Sequence, residues 1–176
     1  MILTGNEIIK RLNKDIFIEP FNPDRVNPNS YNLSLSNELM IYTDDILDPK
    51  ERNKTHTITI PEEGYVLEPG KVYLARTSEY TKTYNLVPML IGRSSLGRLG
   101  LAVHVTSGFG DVGFCGYWTM QLVCVQRMRI YPGMKICQIF YHTVCGDTTD
   151  YSSTKYQNSD EIMASQIFQE FYSTNG

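Results

Sequence analysis

Ser30–Tyr42 reads "SYNLSLSNELMIY". Tyr31, Leu33 and Leu35 recur every second residue against Asn32, Ser34 and Ser36, and a two-residue apolar period marks a strand with one buried face. The spacing predicts that the tyrosine and leucines point inward and the serines and asparagine outward. Similar short runs follow on either side of turn signals: "THTITI" from Thr55, "GYVLEPGKVYLAR" from Gly64, "LVPMLIGRSS" from Leu86, "LAVHVTSG" from Leu101, "GYWTMQLVCVQ" from Gly116 and "MRIYPGMKICQIFYH" from Met128. Pro61 to Gly64, Pro69-Gly70 and Pro132-Gly133 supply the turns between them. Many short strands with such punctuation predict a mainly β fold, a distorted barrel or jelly-roll-like sandwich rather than a βαβ architecture. "LEPGKVYLA" and "IYPGMKICQ" share a strand, Pro-Gly, strand layout and read as two similar hairpins.

Two helical segments flank the strands. "TGNE" at Thr4–Glu7 is a capping box, in which Thr4 caps the start and Glu7 reaches back, and Ile8, Ile9 and Leu12 follow on one face. At the other end, "DEIMASQIFQEFY" from Asp160 predicts either a short helix or a segment draped over a neighbouring subunit. Between them and the strands lies "GDTTDYSSTKYQNS", polar and turn-rich, which reads as a mobile tail or lid. Residues 1–145 therefore read as one β domain and 146–176 as its closing tail, in a chain of 176 residues that needs no second domain.

Sixteen basic and 19 acidic residues leave a net charge of −3, which excludes the basic face that nucleic acid demands but leaves room for a small anion at local arginines. No apolar run approaches the ~20 residues of a membrane helix and the start lacks a secretory pattern, so a cytoplasmic protein is expected. Cys115, Cys124, Cys137 and Cys145 show no CxxC spacing and mostly sit in apolar runs, as reduced core cysteines do. Only His142 and Cys145 stand at a plausible ligand spacing, so no zinc site is expected.

Chemistry concentrates in Ile91–Gln121, "IGRSSLGRLGLAVHVTSGFGDVGFCGYWTMQ". Arg93, Ser94, Ser95 and Arg98 between glycines offer guanidinium forks, hydroxyls and free backbone amides, the partners phosphate oxygens seek. A solvated surface turn would use the same residues. His104, Thr106 and Asp111 follow, and an aspartate among glycines is also a common turn former.

Together "GRSSLGRLGL" and "HVTSGFGDVGFCG" resemble the dCTP deaminase family of the trimeric dUTPase superfamily. "NPNSYNLSL", "LEPGKVYLA", "YPGMKICQIFY" and "KYQN" extend the resemblance over most of the chain. It implies a homotrimer with active sites at subunit boundaries. It also implies that dCTP and dUTP are the nucleotides bound, that Mg²⁺ accompanies the triphosphate and that dTTP inhibits. Ser94 and Arg98 match the residues of the polar network that contacts the nucleotide, and Arg93 and Ser95 its phosphate-side members. His104 matches a histidine lining the site, Val105, Thr106, Ser107 and Gly108 the segment that meets the cytosine ring, and Asp111 the aspartate on the deoxyribose, which positions water in the triphosphatases. Lys155, Tyr156 and Gln157 match tail residues that close over the triphosphate. "TSGFGDVGF" is closer to the members that go on to cleave dUTP to dUMP than to those that release it.

One position departs from the family. Zinc deaminases attack cytosine C4 with metal-bound hydroxide and carry H-x-E and P-C-x-x-C elements, which this chain lacks. In the resembling family a glutamate activates the water, and it follows "GYWT" and an apolar residue; here Met120 is followed by Gln121. An amide keeps the shape of a carboxylate but accepts no proton at neutral pH. Three accounts stand: a glutamate replaced in an otherwise intact site so as to trap nucleotide, a natural member that gave up deamination and kept nucleotide binding or regulation, or a surface glutamine outside the motif.

Overall fold

The computed structural model describes residues 1–104, 107–149, 151 and 155–172. Its strands are β1 (Ile16–Glu19), β2 (Tyr31–Tyr42), β3 (Thr55–Thr59), β4 (Tyr65–Leu67), β5 (Tyr73–Thr77), β6 (Tyr80–Thr83), β7 (Leu86–Gly92), β8 (Leu101–Val103), β9 (Cys115–Gly116), β10 (Thr119–Cys124), β11 (Met128–Ile130) and β12 (Lys135–Thr143). The helices are α1 (Gly5–Arg11), α2 (Ser94–Gly97) and α3 (Gln169–Tyr172). The main sheet runs β7-β12-β2-β5-β10-β8 with β3 added to β2, a smaller one runs β1-β6-β9, and β4 pairs with β11. The fold is thus mainly β and barrel-like, with one short helix at the start.

Strand β2 organises the whole. Its first half pairs with β12, from Tyr31↔Ile139 to Ser34↔Lys135, and its second half pairs with β3 and β5, the register shifting between Leu35 and Leu39. A strand that changes partners at a bulge bends the sheet around its own core. Tyr31, Leu33, Leu35 and Leu39 reach that core with Ile8, Leu67, Met120, Leu122, Ile136, Ile139 and Tyr141, all fully buried. Each such side chain contributes roughly 1.5–3 kcal/mol. A seam closes the far edge, with Leu3 N–H donating to the Tyr141 carbonyl at 3.0 Å and Ile2 bridging His142.

The structure corrects four sequence expectations. Asn32, Ser34 and Ser36 are buried, not outward, because the opposite face of β2 carries a polar cluster. There Glu79, 1% exposed, takes the Ser34 N–H at 2.8 Å, the Ser34 hydroxyl at 2.5 Å and the Arg25 guanidinium. The two Pro-Gly units are not hairpins: β4 pairs with β11, Leu67 opposite Met128 and Tyr65 opposite Ile130, so the echoing segments pair with each other. At α1, Thr4 accepts from Glu7 N–H as expected, but the Glu7 carboxylate turns forward to Arg11 at 3.0 Å instead of back. Finally, only Gln169–Tyr172 of the last segment is helical. Residues ahead of it lie across the chain's own sheet, Met163 N–H on Thr119 Oγ1 at 3.0 Å and Ser165 N–H on the Tyr42 hydroxyl at 2.9 Å.

Cys115, Cys124 and Cys137 are buried and Cys145 is exposed, all of them free thiols. Among the described residues no helix is long and apolar enough to cross a membrane.

Candidate active site

Strand β10 buries Met120, Leu122 and Cys124 and turns Thr119, Gln121 and Val123 to its other, half-exposed face. Gln121 is fixed from both sides: it stands opposite Leu74 of β5, and its carbonyl takes the His104 N–H at 2.9 Å. Its side-chain oxygen accepts the Ser107 hydroxyl at 3.3 Å.

His104 sits in the left-handed region, at φ 53°, immediately after β8. The ring is buried edge-on to Trp118, centroids 6.3 Å apart, and Nδ1 has no hydrogen-bond partner among the described residues. Burial lowers its pKa from the ordinary 6.5, offset in part by the Ser107 backbone and the Gln121 side chain. The imidazole is therefore neutral at neutral pH. Trp118 is itself locked, by its indole N–H on Thr81 Oγ1 at 2.8 Å and by Phe114 at 4.5 Å. Gly110 lets this happen: a Cβ there would lie 2.4 Å from the Trp118 ring.

These residues open onto a cavity of about 530 Å³ lined by His104, Ser107, Asp111, Trp118, Gln121 and Tyr156, among others. That volume suits a nucleotide-sized ligand. Asp111 is exposed, and its carboxylate has no hydrogen-bond partner among the described residues. The turn that carries it is held from the tail: Gln157 accepts from the Cys115 N–H at 3.0 Å and donates to the Gly113 carbonyl at 2.9 Å. Tyr156 walls the cavity with its hydroxyl accepting the Gln166 N–H at 3.1 Å, while Lys155 pairs with Glu170 at 2.6 Å.

The arginine–serine motif lies elsewhere. Arg93 and Ser94 line a second groove of about 590 Å³ with Gly97, Gly108 and Phe109, and His104 and Phe109 are shared between the two. Ser95 on α2 and Arg98, its C-cap, are exposed and line neither cavity, and Arg93 donates to the Lys135 carbonyl at 3.0 Å. The chain thus gathers Gln121, His104, Ser107, Asp111 and Tyr156 in one cavity and places Arg93 and Ser94 in an adjoining groove that shares His104 and Phe109 with it. Val105 and Thr106 lie outside the described residues. Among the described residues no three His, Cys, Asp or Glu side chains gather to hold a metal ion.

The sequence did not single out Thr119, Tyr42, Met163 or Ser165, which complete the cavity wall. Thr119 was within reach, since it shares the strand face of Gln121 by the two-residue period. Tyr42, Met163 and Ser165 come to the site through long-range hydrogen bonds, Met163 N–H to Thr119 Oγ1 and Ser165 N–H to the Tyr42 hydroxyl, which leave no trace in composition.

A sequence model of proteins described as dCTP deaminase-like matches residues 2–144. The chain belongs to the dCTP deaminase-like family. A "dCTP deaminase, dUMP-forming" of Hathewaya histolytica is 59% identical over 171 residues, 97% of this chain and 99% of that protein. Another so named, from Cytophaga hutchinsonii, is 57% identical over the same length. The crystal structure of the 2′-deoxycytidine 5′-triphosphate deaminase of Agrobacterium tumefaciens superimposes with a TM-score of 0.63 at 19% identity, covering 80% of this chain and 47% of that one. At that identity the superposition speaks to the deaminase fold alone, and this chain spans about half the length of that protein.

Proposed function

We propose that this chain is a zinc-independent, dUMP-forming member of the deaminase family that binds dCTP and dUTP and whose deamination step is impaired. The observation that carries the proposal is the side chain at position 121, held by Ser107 in the wall of the cavity that His104 and Asp111 also line. Hydrolytic deamination adds water to cytosine C4, passes through a tetrahedral carbon and expels ammonia. A general base must take the water's proton and deliver protons to the ring nitrogen and the leaving amine. A carboxylate at position 121 performs both transfers; the Gln121 amide orients the ring and water and performs neither. His104, neutral and buried, packs the pyrimidine side of the cavity.

Cleavage to dUMP asks less of position 121. A water attacks the α-phosphorus, the bond to the bridging oxygen breaks and pyrophosphate departs, with Asp111 the free carboxylate available to hold the deoxyribose and that water. Mg²⁺ arrives with the triphosphate, bound by phosphate oxygens and water as its hard character favours. Arg93, Ser94, Ser95 and Arg98 neutralise the phosphates, and Lys155, Tyr156 and Gln157 of the 146–176 tail close over them.

The separation of the two residue groups supports a homotrimer in which one subunit's arginine–serine motif faces its neighbour's Gln121 cavity. Ile91, Leu99 and Phe109, all more than half exposed near the second groove, provide apolar surface for such contact. Light scattering is expected to report a trimer, and a monomer that binds nucleotide tightly would overturn the shared site.

Changing Gln121→Glu tests the function directly. The kcat for ammonia release from dCTP is expected to rise by at least ~10²-fold, with nucleotide affinity moving far less, because the restored interaction acts in the transition state. A glutamate variant that is folded and nucleotide-bound yet no faster would favour the second reading, a silent nucleotide-binding or regulatory homologue, which the loss of the carboxylate also fits.

A further inference from the structure

The Gln121 amide has two chemically different ends, and the structure uses them unequally. Its oxygen takes the Ser107 hydroxyl at 3.3 Å. Its nitrogen has no hydrogen-bond partner among the described residues, although the side chain lines the 530 Å³ cavity. The group left for a ligand is therefore a pair of N–H donors. Turned over, the amide would donate to the Ser107 hydroxyl, which accepts as well as donates, and would offer the ligand an acceptor instead; the two orientations therefore predict opposite base preferences.

A donor reads the exocyclic group at pyrimidine position 4. Uracil and thymine carry a carbonyl oxygen there, which accepts from the amide. Cytosine carries an amino group, which presents N–H to N–H and leaves donors unpaired in a partly enclosed site. A carboxylate has the opposite preference, accepting from the amino group and repelling the carbonyl. We propose that Gln121 makes this site select 4-oxo pyrimidine deoxynucleotides over 4-amino ones, so that uracil rather than cytosine is the base it holds best. This rests on the placement of position 121 against C4 of the bound base, and it deepens that assignment by turning the altered residue into a specificity determinant.

The test compares the α,β-imido analogues of dUTP and dCTP, which differ only at the base edge and cannot be cleaved to monophosphate. Isothermal titration in the presence of Mg²⁺ is expected to show the uracil analogue bound at least ~10-fold more tightly by this chain, the scale of one hydrogen bond made rather than one donor stranded. Gln121→Glu is expected to reverse the order. Gln121→Leu, similar in size but without hydrogen-bonding atoms, is expected to bind both analogues with no preference. Equal binding by the unaltered chain, a preference for cytosine, or a preference that persists in Gln121→Leu overturns the proposal while leaving the nucleotide site intact. Failure of the unaltered chain to bind either analogue would instead overturn the site itself.

Discussion

Two polar groups of similar shape stand on the same sheet system and are treated in opposite ways. Around Glu79 both oxygens are engaged: Ser34 supplies its amide and hydroxyl, and Arg25 supplies the counter-charge, all with the carboxylate only 1% exposed. Around Gln121 one atom is held and the other faces a cavity, with a neutral histidine and a serine for company. A polar cluster that satisfies itself fixes the fold, whereas one that leaves a donor unused has binding capacity to offer. The difference separates structural from functional residues without reference to any relative.

That contrast can be broken by substitution. Glu79→Ala removes the partner of a partly buried guanidinium and of the buried Ser34 amide, and is expected to destabilise the fold by ~3 kcal/mol, the low end for a broken buried pair because Arg25 is 22% exposed. Gln121→Ala is expected to stay within about 1 kcal/mol of the unaltered chain. Urea titrations of the two variants decide the matter, and equal losses would mean that Gln121 is as structural as Glu79.

The arginines sharpen it next. Arg98, exposed at the C-cap of α2, is expected to lose ~1.5–3 kcal/mol of nucleotide affinity on change to alanine, at nearly unchanged stability. Arg25→Ala, by contrast, is expected to lower stability, and nucleotide affinity only through it. Titration calorimetry paired with denaturation on both variants would expose any exchange of these roles.

The smallest effect concerns pH. Since burial lowers the His104 pKa below 6.5, the unfolded chain binds a proton in the interval between the folded value and 6.5 that the folded chain refuses. Stability is therefore fully present above about 6.5 and falls as the pH drops through that interval, levelling off below the folded value. His104→Asn, which tolerates the left-handed backbone, is expected to flatten this part of the stability curve. An unchanged curve would show that His104 titrates as it does in the unfolded chain.

Much of this was legible beforehand. Tyr31, Leu33 and Leu35 announced β2 by period alone, and glycine, serine and arginine clustering announced the motif at 92–98. Gln121 stood out in the sequence, and it does line the main cavity. Other features had no local signal. Strand β6 escaped notice because its inward residues, Thr81 and Thr83, are polar and break the apolar rhythm. The serines of β2 looked like a solvent face until Glu79, far along the chain, arrived to cover them. Nothing local to either Pro-Gly unit says that β4 will pair with β11, since register between distant segments is decided by the core as a whole. The division of candidate residues between two cavities is likewise a property of topology, with Arg93 and Ser94 lining one and Gln121 the other.

The seam joining residues 2–3 to 141–142 has a consequence in time. As the chain emerges from a ribosome, its first strand-forming partner is waiting for a segment made about 140 residues later, so the rim of the barrel stays open through nearly the whole of synthesis. Pairings this distant belong to proteins that fold on the order of milliseconds to seconds rather than microseconds. Until then the edges of β2 and β7 that β12 will later cover lie open to neighbouring nascent chains. Crowded translation should therefore favour misassembly, and a ribosome-bound chain halted before β12 should stay protease-sensitive near its beginning, becoming resistant only when Tyr141 and His142 are released.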